Sequence, residues 1–384
     1  MRLLAASCAA LMVLSASPMA DSDPPVASEF PVRLTPVQFT DMPGWADDDH
    51  DAALTAFART CETATVRPPR SRASGVEGAA LAEICAILAN NPVDSARTFF
   101  EHNFIPHRVE AAGLLTGYFE PQVMASFERT DEYCYPIHAR PDDLVELPGP
   151  AGSYGISEDV TWGRQVASGY QAFPDREAIM DGALEGQGLE LAYLADPVDL
   201  FFIHIQGSAR LAMTDGSVQR INFAGKSGHP YTPIGRTLVQ RGLMDLDDIT
   251  MDSLRTWLEV ASPEDQRSVL VTNRSYIFFS MQPDEAPDLG PTAAAGAPLT
   301  AGRSLAVDRH LHTFGTPIYV TSTTSLPGEH QLLNRLMIAQ DTGSAIVGPA
   351  RGDIFIGSGD HAGHVAGQIN QPVSFVVLMP KVGQ

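Results

Sequence analysis

Residues 336–357, LMIAQDTGSAIVGPARGDIFIG, set two short apolar runs on either side of a turn rich in Gly and Pro. Each run, 336–340 and 353–357, has strand length rather than helix length and is bounded by turn residues. The same texture extends back to Gly113, with apolar runs at 114–121, 200–208, 275–279, 305–308 and 316–320, and forward to 373–378. Many short strands separated by turn signals predict a mainly β chain built from barrels. Upstream of 113 the period changes. Asp47, Asp48 and Asp49 suit a helix N-terminus, and Leu54, Phe57 and Cys61 follow at helical spacing. Further helices are predicted over 77–89 and 95–103, with an Arg-rich turn over 67–72 between the first two. Amphipathic helices are predicted over 175–185, 233–241 and 263–270, the last with Pro263 in its first turn. Residues 141–155 and 282–298 read as loops, and no internal repeat is found.

The chain of 384 residues suits two or three domains. Its 44% hydrophobic and 18% charged residues describe a globular protein. With 25 basic and 46 acidic side chains the net charge is −21, which argues against a non-specific nucleic-acid binder and against a polybasic membrane-surface protein. Met1-Arg2, the apolar run 3–16 and Ser17-Pro18-Met19-Ala20 read as an export signal over 1–20. No later stretch reaches the ~18 apolar residues of a membrane span. Cys8 has only residues 3–7 ahead of it, which makes no convincing lipobox, so the expected product is an unlipidated periplasmic protein. In that oxidising compartment Cys61 and Cys85, each on a helical pattern, are the expected disulfide, and Cys134 is expected to be buried.

Two aspartates are candidate acids. Asp341 follows a predicted strand in a Gly-rich turn, and Asp353 opens the next run. A catalytic acid needs a carboxyl on rigid backbone with its pKa raised by partial burial. On the motif alone, Asp-Thr-Gly as plain turn chemistry is the stronger reading. A single copy makes no aspartic protease without a second chain. Gly225-Lys226-Ser227 fails as a phosphate loop because position 220 is Arg220. Arg351-Gly352-Asp353 is discounted as a chance adhesion tripeptide. Asp360, His361 and His364 are metal-ligand types at tight spacing, but His310, His312 and His330 add no pattern. They read as polar loop residues, and neither metal nor cofactor is expected. The run 201–208 reads as a buried strand ending in Gln206, Gly207 and Ser208, donors of the kind glycan sites use.

Taken in order, Gly117-Tyr118-Phe119-Glu120-Pro121, Phe173-Pro174-Asp175-Arg176 with Ile179, Gln206-Gly207-Ser208-Ala209-Arg210, the run 228–236 (GHPYTPIGR) and the run 273–279 (NRSYIFF) resemble the membrane-bound lytic transglycosylase A family of peptidoglycan-cleaving enzymes. Residues 304–308 (SLAVD), Gln340-Asp341-Thr342-Gly343 and Asp353 resemble that family's three-aspartate (3D) domain. The resemblance covers 96–384. It implies a double-psi β-barrel domain with N-terminal helices, a second, inserted β-barrel, and a groove between them. The expected divisions are 21–115 and 271–384 for the first domain and 116–270 for the insert. It implies non-hydrolytic cleavage of the β-1,4 bond between N-acetylmuramic acid and N-acetylglucosamine, giving 1,6-anhydro products, with Asp353 as acid and then base. It gives supporting roles to Asp341 and Asp308, and a glycan-lining role to Tyr118, Gln206, Ser208, Thr342 and Gly343. The expected partner is peptidoglycan glycan strands, engaged by a monomer with peripheral outer-membrane or cell-wall association.

Two departures carry their own expectations. Ser344 stands where the family has a second glycine, and a Cβ at a position needing positive φ would cost about 1 kcal/mol. Gly352 would leave the backbone ahead of Asp353 flexible. Two other function classes stay open: a non-catalytic glycan-binding protein on the same fold, and a metal-dependent wall peptidase using Asp360, His361 and His364.

Overall fold

The computed structural model describes residues 32–64, 68–284 and 286–381, so the expected export signal at 1–20 lies outside the described residues. The first element among the described residues is β1 (Leu34–Pro36), and two 3-10 turns lead from it to α1 (His50–Ala64). Asp49 Oδ1 accepts from Ala52 N at 3.0 Å and caps α1. Ala53, Phe57, Thr60, Cys61 and Ala64 form its buried stripe. Helices α2 (Gly78–Asn90) and α3 (Ala96–Asn103) follow within two residues of their predicted ends, Ser95 capping α3 by accepting from Thr98 N. The expected Cys61–Cys85 disulfide ties α1 to α2, with Cα atoms 5.1 Å apart. Cys134 is half-buried rather than buried.

Strands β2 (Phe104–Val109) and β3 (Gly113–Glu120) lead into the middle of the chain. There β4 (Gln122–Ser126), β5 (Tyr135–His138), β6 (Leu144–Glu146), β7 (Trp162–Val166), β8 (Gly169–Ala172), α4 (Arg176–Met180), β9 (Glu190–Leu194) and α5 (Pro197–Gln206) come first. Then follow β10 (Ser208–Met213), β11 (Val218–Lys226), α6 (Ile234–Gln240), α7 (Met251–Val260), α8 (Pro263–Leu270) and β12 (Ile277–Pro283). Six of these strands form one sheet in the order β12-β11-β10-β4-β9-β5. A single bridge between Ala139 and Phe279 brings its two edges together. Strands β6, β7 and β8 make a small separate sheet.

The chain then returns through β13 (Ser304–Val307), β14 (Pro317–Ser325), β15 (Leu332–Asp341), β16 (Arg351–Ser358), α9 (Asp360–Gly367) and β17 (Asn370–Pro380). These join β1, β2 and β3 in an eight-stranded sheet. Because β17 also pairs with β3, six strands close into a ring: β3, β17, β14, β15, β13, β16 and back to β3. The pairs β13–β15 and β16–β3 are parallel and the other four antiparallel. Leu115, Val307, Ile318, Leu336, Ile354 and Phe375 are fully buried in the one core this ring shares with α1–α3. The chain is thus mainly β with helices at its N-terminal end, as expected.

Four expectations need correction. Residues 200–206 are no strand: they form most of α5, Gly207 ends it, and only Ser208 enters β10. Asp196 accepts from Val198 N, Pro197 sits in the first turn and Gly207 takes φ 77° at the end, and these flanking signals outweigh the apolar run. The helix expected over 175–185 stops at Met180. The loop 141–155 contains β6 and a 3-10 turn, Ala151–Tyr154. The division at 270 falls too early, since β12 pairs with β11 and the return to the ring is made only after Pro283.

Replacing both Cys61 and Cys85 by Ser opens a loop of sequence separation 24. Urea unfolding should show a loss of about 3 kcal/mol, the chain entropy such a link removes. An unchanged midpoint would mean the helix packing holds without it.

Candidate active site

Asp353 is the third residue of β16, directly opposite Thr116 of the parallel strand β3. Thr116 Oγ1 donates to Asp353 Oδ1 at 2.6 Å, and Arg351 Nη2 donates to Thr116 Oγ1 at 2.8 Å. Arg351 lies two residues before Asp353, on the same face of the strand. Its Nη1 also donates to the Gly352 carbonyl. An arginine can only donate, so its bond to the Thr116 oxygen turns the hydroxyl hydrogen toward the carboxyl.

Tyr118, two residues beyond Thr116, shares that face. Its hydroxyl donates to Asp341 Oδ2 at 2.9 Å, and its ring packs on Phe355 at 5.4 Å. Asp341 Oδ1 accepts from Ala294 N at 3.3 Å. The two candidate carboxyls therefore sit in one half-buried cluster, at the ends and edges of β3, β15 and β16. Burial pushes the Asp353 carboxyl up to about 6 and the neighbouring Asp341 charge adds to this, while Thr116 and Arg351 pull it back. Burial raises Asp341 too, against the bonds from Thr342 N, Tyr118 and Ala294 N.

Asp308 lies apart from this pair. Its carboxylate accepts from His310 N at 2.9 Å and from Gly348 N at 2.8 Å. Buried His312 reaches the Pro349 carbonyl through Nε2 at 2.8 Å. Both fasten the turn that feeds Arg351 and Asp353 into β16. Thr342 and Gly343 lie in the turn just after Asp341, half-buried and exposed respectively. Gln206 and Ser208 are not brought into the cluster. Gln206 Oε1 accepts from Phe119 N at 3.2 Å, and Ser208 is a buried residue of β10. His364 pairs with Asp252 at 3.5 Å and with Gln368, on the exposed side of α9.

Both glycine expectations are overturned. Among the described residues no non-glycine has positive φ, so Ser344 carries no such strain. In that turn it is Gly348, φ 124°, that needs a glycine. Gly352 is a packed strand residue, where a Cβ would stand 2.8 Å from the Phe375 ring and 3.0 Å from Leu305. The sequence reading missed Thr116 and Arg351. Each lies two residues from a residue it did single out, Tyr118 and Asp353, and strand alternation was the signal that could have found them.

A family model described as the MltA specific insert domain matches residues 114–280, and one described as the 3D domain matches residues 303–379. The chain is 41% identical to the crystallised membrane-bound lytic murein transglycosylase of Agrobacterium tumefaciens, with TM-score 0.84 over 91% of this chain and 98% of that one. It is 33% identical over 261 residues to membrane-bound lytic murein transglycosylase A of Escherichia coli K12, an alignment spanning 66% of this chain and 62% of that protein. The crystal structure of E. coli MltA with bound chitohexaose matches at 26% identity and TM-score 0.62, over 91% of this chain and 94% of that one.

Gly352→Ala should lower stability by about 1–3 kcal/mol, the cost of overpacking a filled core. It should also displace the adjacent Asp353. Thermal melting followed by circular dichroism checks this, and a variant melting with the wild type would refute the close packing at Phe375.

Proposed function

The chain belongs to the membrane-bound lytic murein transglycosylase A family, and we propose that it cleaves peptidoglycan glycan strands without water, using Asp353 as its one acid and base. The observation that carries this reading is the Asp353 carboxyl itself. It is rigidly held on a strand, its Oδ1 is bound by Thr116, and burial keeps it protonated to about pH 6. The chitohexaose in the E. coli relative supports a β-1,4-linked amino-sugar strand as ligand. The ring's two parallel pairs support reading the first domain as a double-psi barrel, with 121–283 as the insert. The Cys61–Cys85 disulfide supports a periplasmic location.

In the proposed reaction Asp353 gives its proton to the glycosidic oxygen as the bond to the muramic acid C1 breaks. The C6 hydroxyl of the same sugar then attacks C1, and its proton returns to Asp353. The C6–O–C1 bridge closes, the leaving sugar departs with the first proton, and the enzyme is restored with no water consumed. The nucleophile belongs to the substrate, so proximity replaces the second carboxylate that ordinary glycosidases need. Since Thr116 occupies Oδ1, the proton leaves from and returns to Oδ2. Arg351 holds the hydroxyl in that orientation.

Mass spectrometry of products released from peptidoglycan tests this. The wild type should release anhydro-muropeptides and Asp353→Asn none. Reducing-end products would mean hydrolysis, and retained binding with no product from either protein would mean a glycan-binding protein. The acid must start protonated, so kcat should fall about tenfold per pH unit above the carboxyl's value of about 6. The Thr116 bond favours the charged form, so Thr116→Val should raise that value and move the alkaline limb upward, and Thr116→Ser should move it back. A limb unmoved by Thr116→Val would remove this assignment.

A further inference from the structure

The two places where the chain crosses between the ring and the six-stranded sheet meet at one buried charge cluster. Outgoing, β3 ends at Glu120, and Pro121 leads into β4. Returning, β12 is followed by Asp284. Glu120 is fully buried, and its carboxylate faces Arg220 Nε at 2.9 Å and Arg210 Nε at 3.1 Å. Asp284, with its side chain 3% exposed, faces the same two arginines at 3.4 and 3.3 Å. Two guanidiniums and two carboxylates thus balance in a largely buried site. Such a cluster costs desolvation and is stable only with every partner in place.

Three lines run from this cluster to the candidate acids. Ser358, at the end of β16, donates to Glu120 Oε2 at 2.7 Å, and Gly359 N donates to the Glu120 carbonyl at 2.9 Å. Gly357 and Gly359 on either side of Ser358 have φ 136° and 83°, so side-chain packing does little to stiffen this corner and the Glu120 bonds hold it. Arg210 and Arg220 also donate to the carbonyls of Pro287, Leu289 and Gly290. Those carbonyls belong to the returning segment whose Ala294 N reaches Asp341 Oδ1. Glu120 itself lies two residues beyond Tyr118 on β3. The same two arginines sit on β10 and β11, in the middle of the inserted sheet.

We propose that Glu120 and Ser358 are positioning residues: they transmit the orientation of the inserted sheet to β16, so that a glycan held across both parts meets Asp353 at the right distance. This rests on the transglycosylase reading for its kinetic consequence but not for its structural one. Misplacement by about 1 Å can cost 10²-fold in rate, so a modest relaxation of the corner is readable in kcat.

Ser358→Ala removes one bond to the cluster and leaves its charges intact. Glu120→Gln keeps the shape and removes one negative charge. Spin labels at Val260→Cys and Leu332→Cys, both exposed and one on each part, report their separation on a Cys134→Ser background. Pulsed electron paramagnetic resonance should give a narrow distance distribution for the parent and a broader one for Ser358→Ala. With long glycan strands, kcat for Ser358→Ala should fall about tenfold at nearly unchanged KM, a loss a merely stabilising contact would not cause below the melting transition. Glu120→Gln should go further in both, and if it fails to fold Ser358→Ala carries the test alone. Parent-like distances and kcat in folded Ser358→Ala would overturn the proposal. A parent inactive on peptidoglycan would instead defeat the transglycosylase reading, while the distance measurement would still decide the structural half.

Discussion

The parallel pairing of β3 with β16 is the contact from which the rest of the molecule is hung. It places Thr116 opposite Asp353 and, with the β17 pairing on the other edge of β3, closes the six-stranded ring. Side chains alternate along a strand, so a slip of one residue would send Thr116 and Tyr118 to the other face and undo the site. Two residues prevent that slip. Leu115 is fully buried in the core, and Gly117 lies where a Cβ would stand 2.9 Å from the Ala366 backbone of α9. The catalytic candidates are thus fixed by an apolar anchor and by a glycine that lets a helix approach. Neither has any chemistry of its own.

That rigidity is what allows opposed electrostatic effects to settle at a useful value. Burial and the neighbouring Asp341 push the Asp353 carboxyl up, while Thr116 and Arg351 hold it down. Were burial unopposed, a proton donor in this position would be poor at giving its proton away; with the donors alone it would already be ionised well below pH 6. The balance depends on distances of a few tenths of an ångström. It therefore depends on Asp308 and His312, which pin the turn ahead of β16 although neither carboxylate nor ring is bonded to Asp353.

What could be read in the sequence was local. Helices α1, α2 and α3 declare themselves by period, α1 also by its acidic cap, and the short apolar runs announce a β protein. Residues 200–208 misled because four apolar residues in a row fit a strand or a buried helix equally; Asp196-Pro197 before them and Gly207 after them held the answer. Which strands close the ring could not be read, since β3 and β17 are about 250 residues apart in the chain and only tertiary packing selects their pairing. Gly352 misled for a related reason. A glycine read alone suggests freedom, yet here its missing Cβ is space already filled by Phe375 and Leu305. Asp341 was legible as a carboxyl after a strand and Asp353 as one opening the next, whereas Thr116 and Arg351 gain their meaning only when two distant strands are laid side by side.

The commitments of the two carboxyls bear on which chemistry the cluster suits. A glycosidase working through water or a covalent intermediate needs one carboxyl as acid and a second free to act as base or nucleophile. Here Asp341 is engaged at both oxygens, Oδ2 by the Tyr118 hydroxyl and Oδ1 by Ala294 N. Burial also raises its pKa, which weakens it as a standing negative charge. Among the described residues Asp353 is hydrogen-bonded at Oδ1 alone, by Thr116. In the proposed reaction one carboxyl oxygen is then left to hand over a proton and take one back. That economy is sufficient when the attacking hydroxyl is part of the sugar being cleaved, and insufficient when a water must be activated on the opposite face.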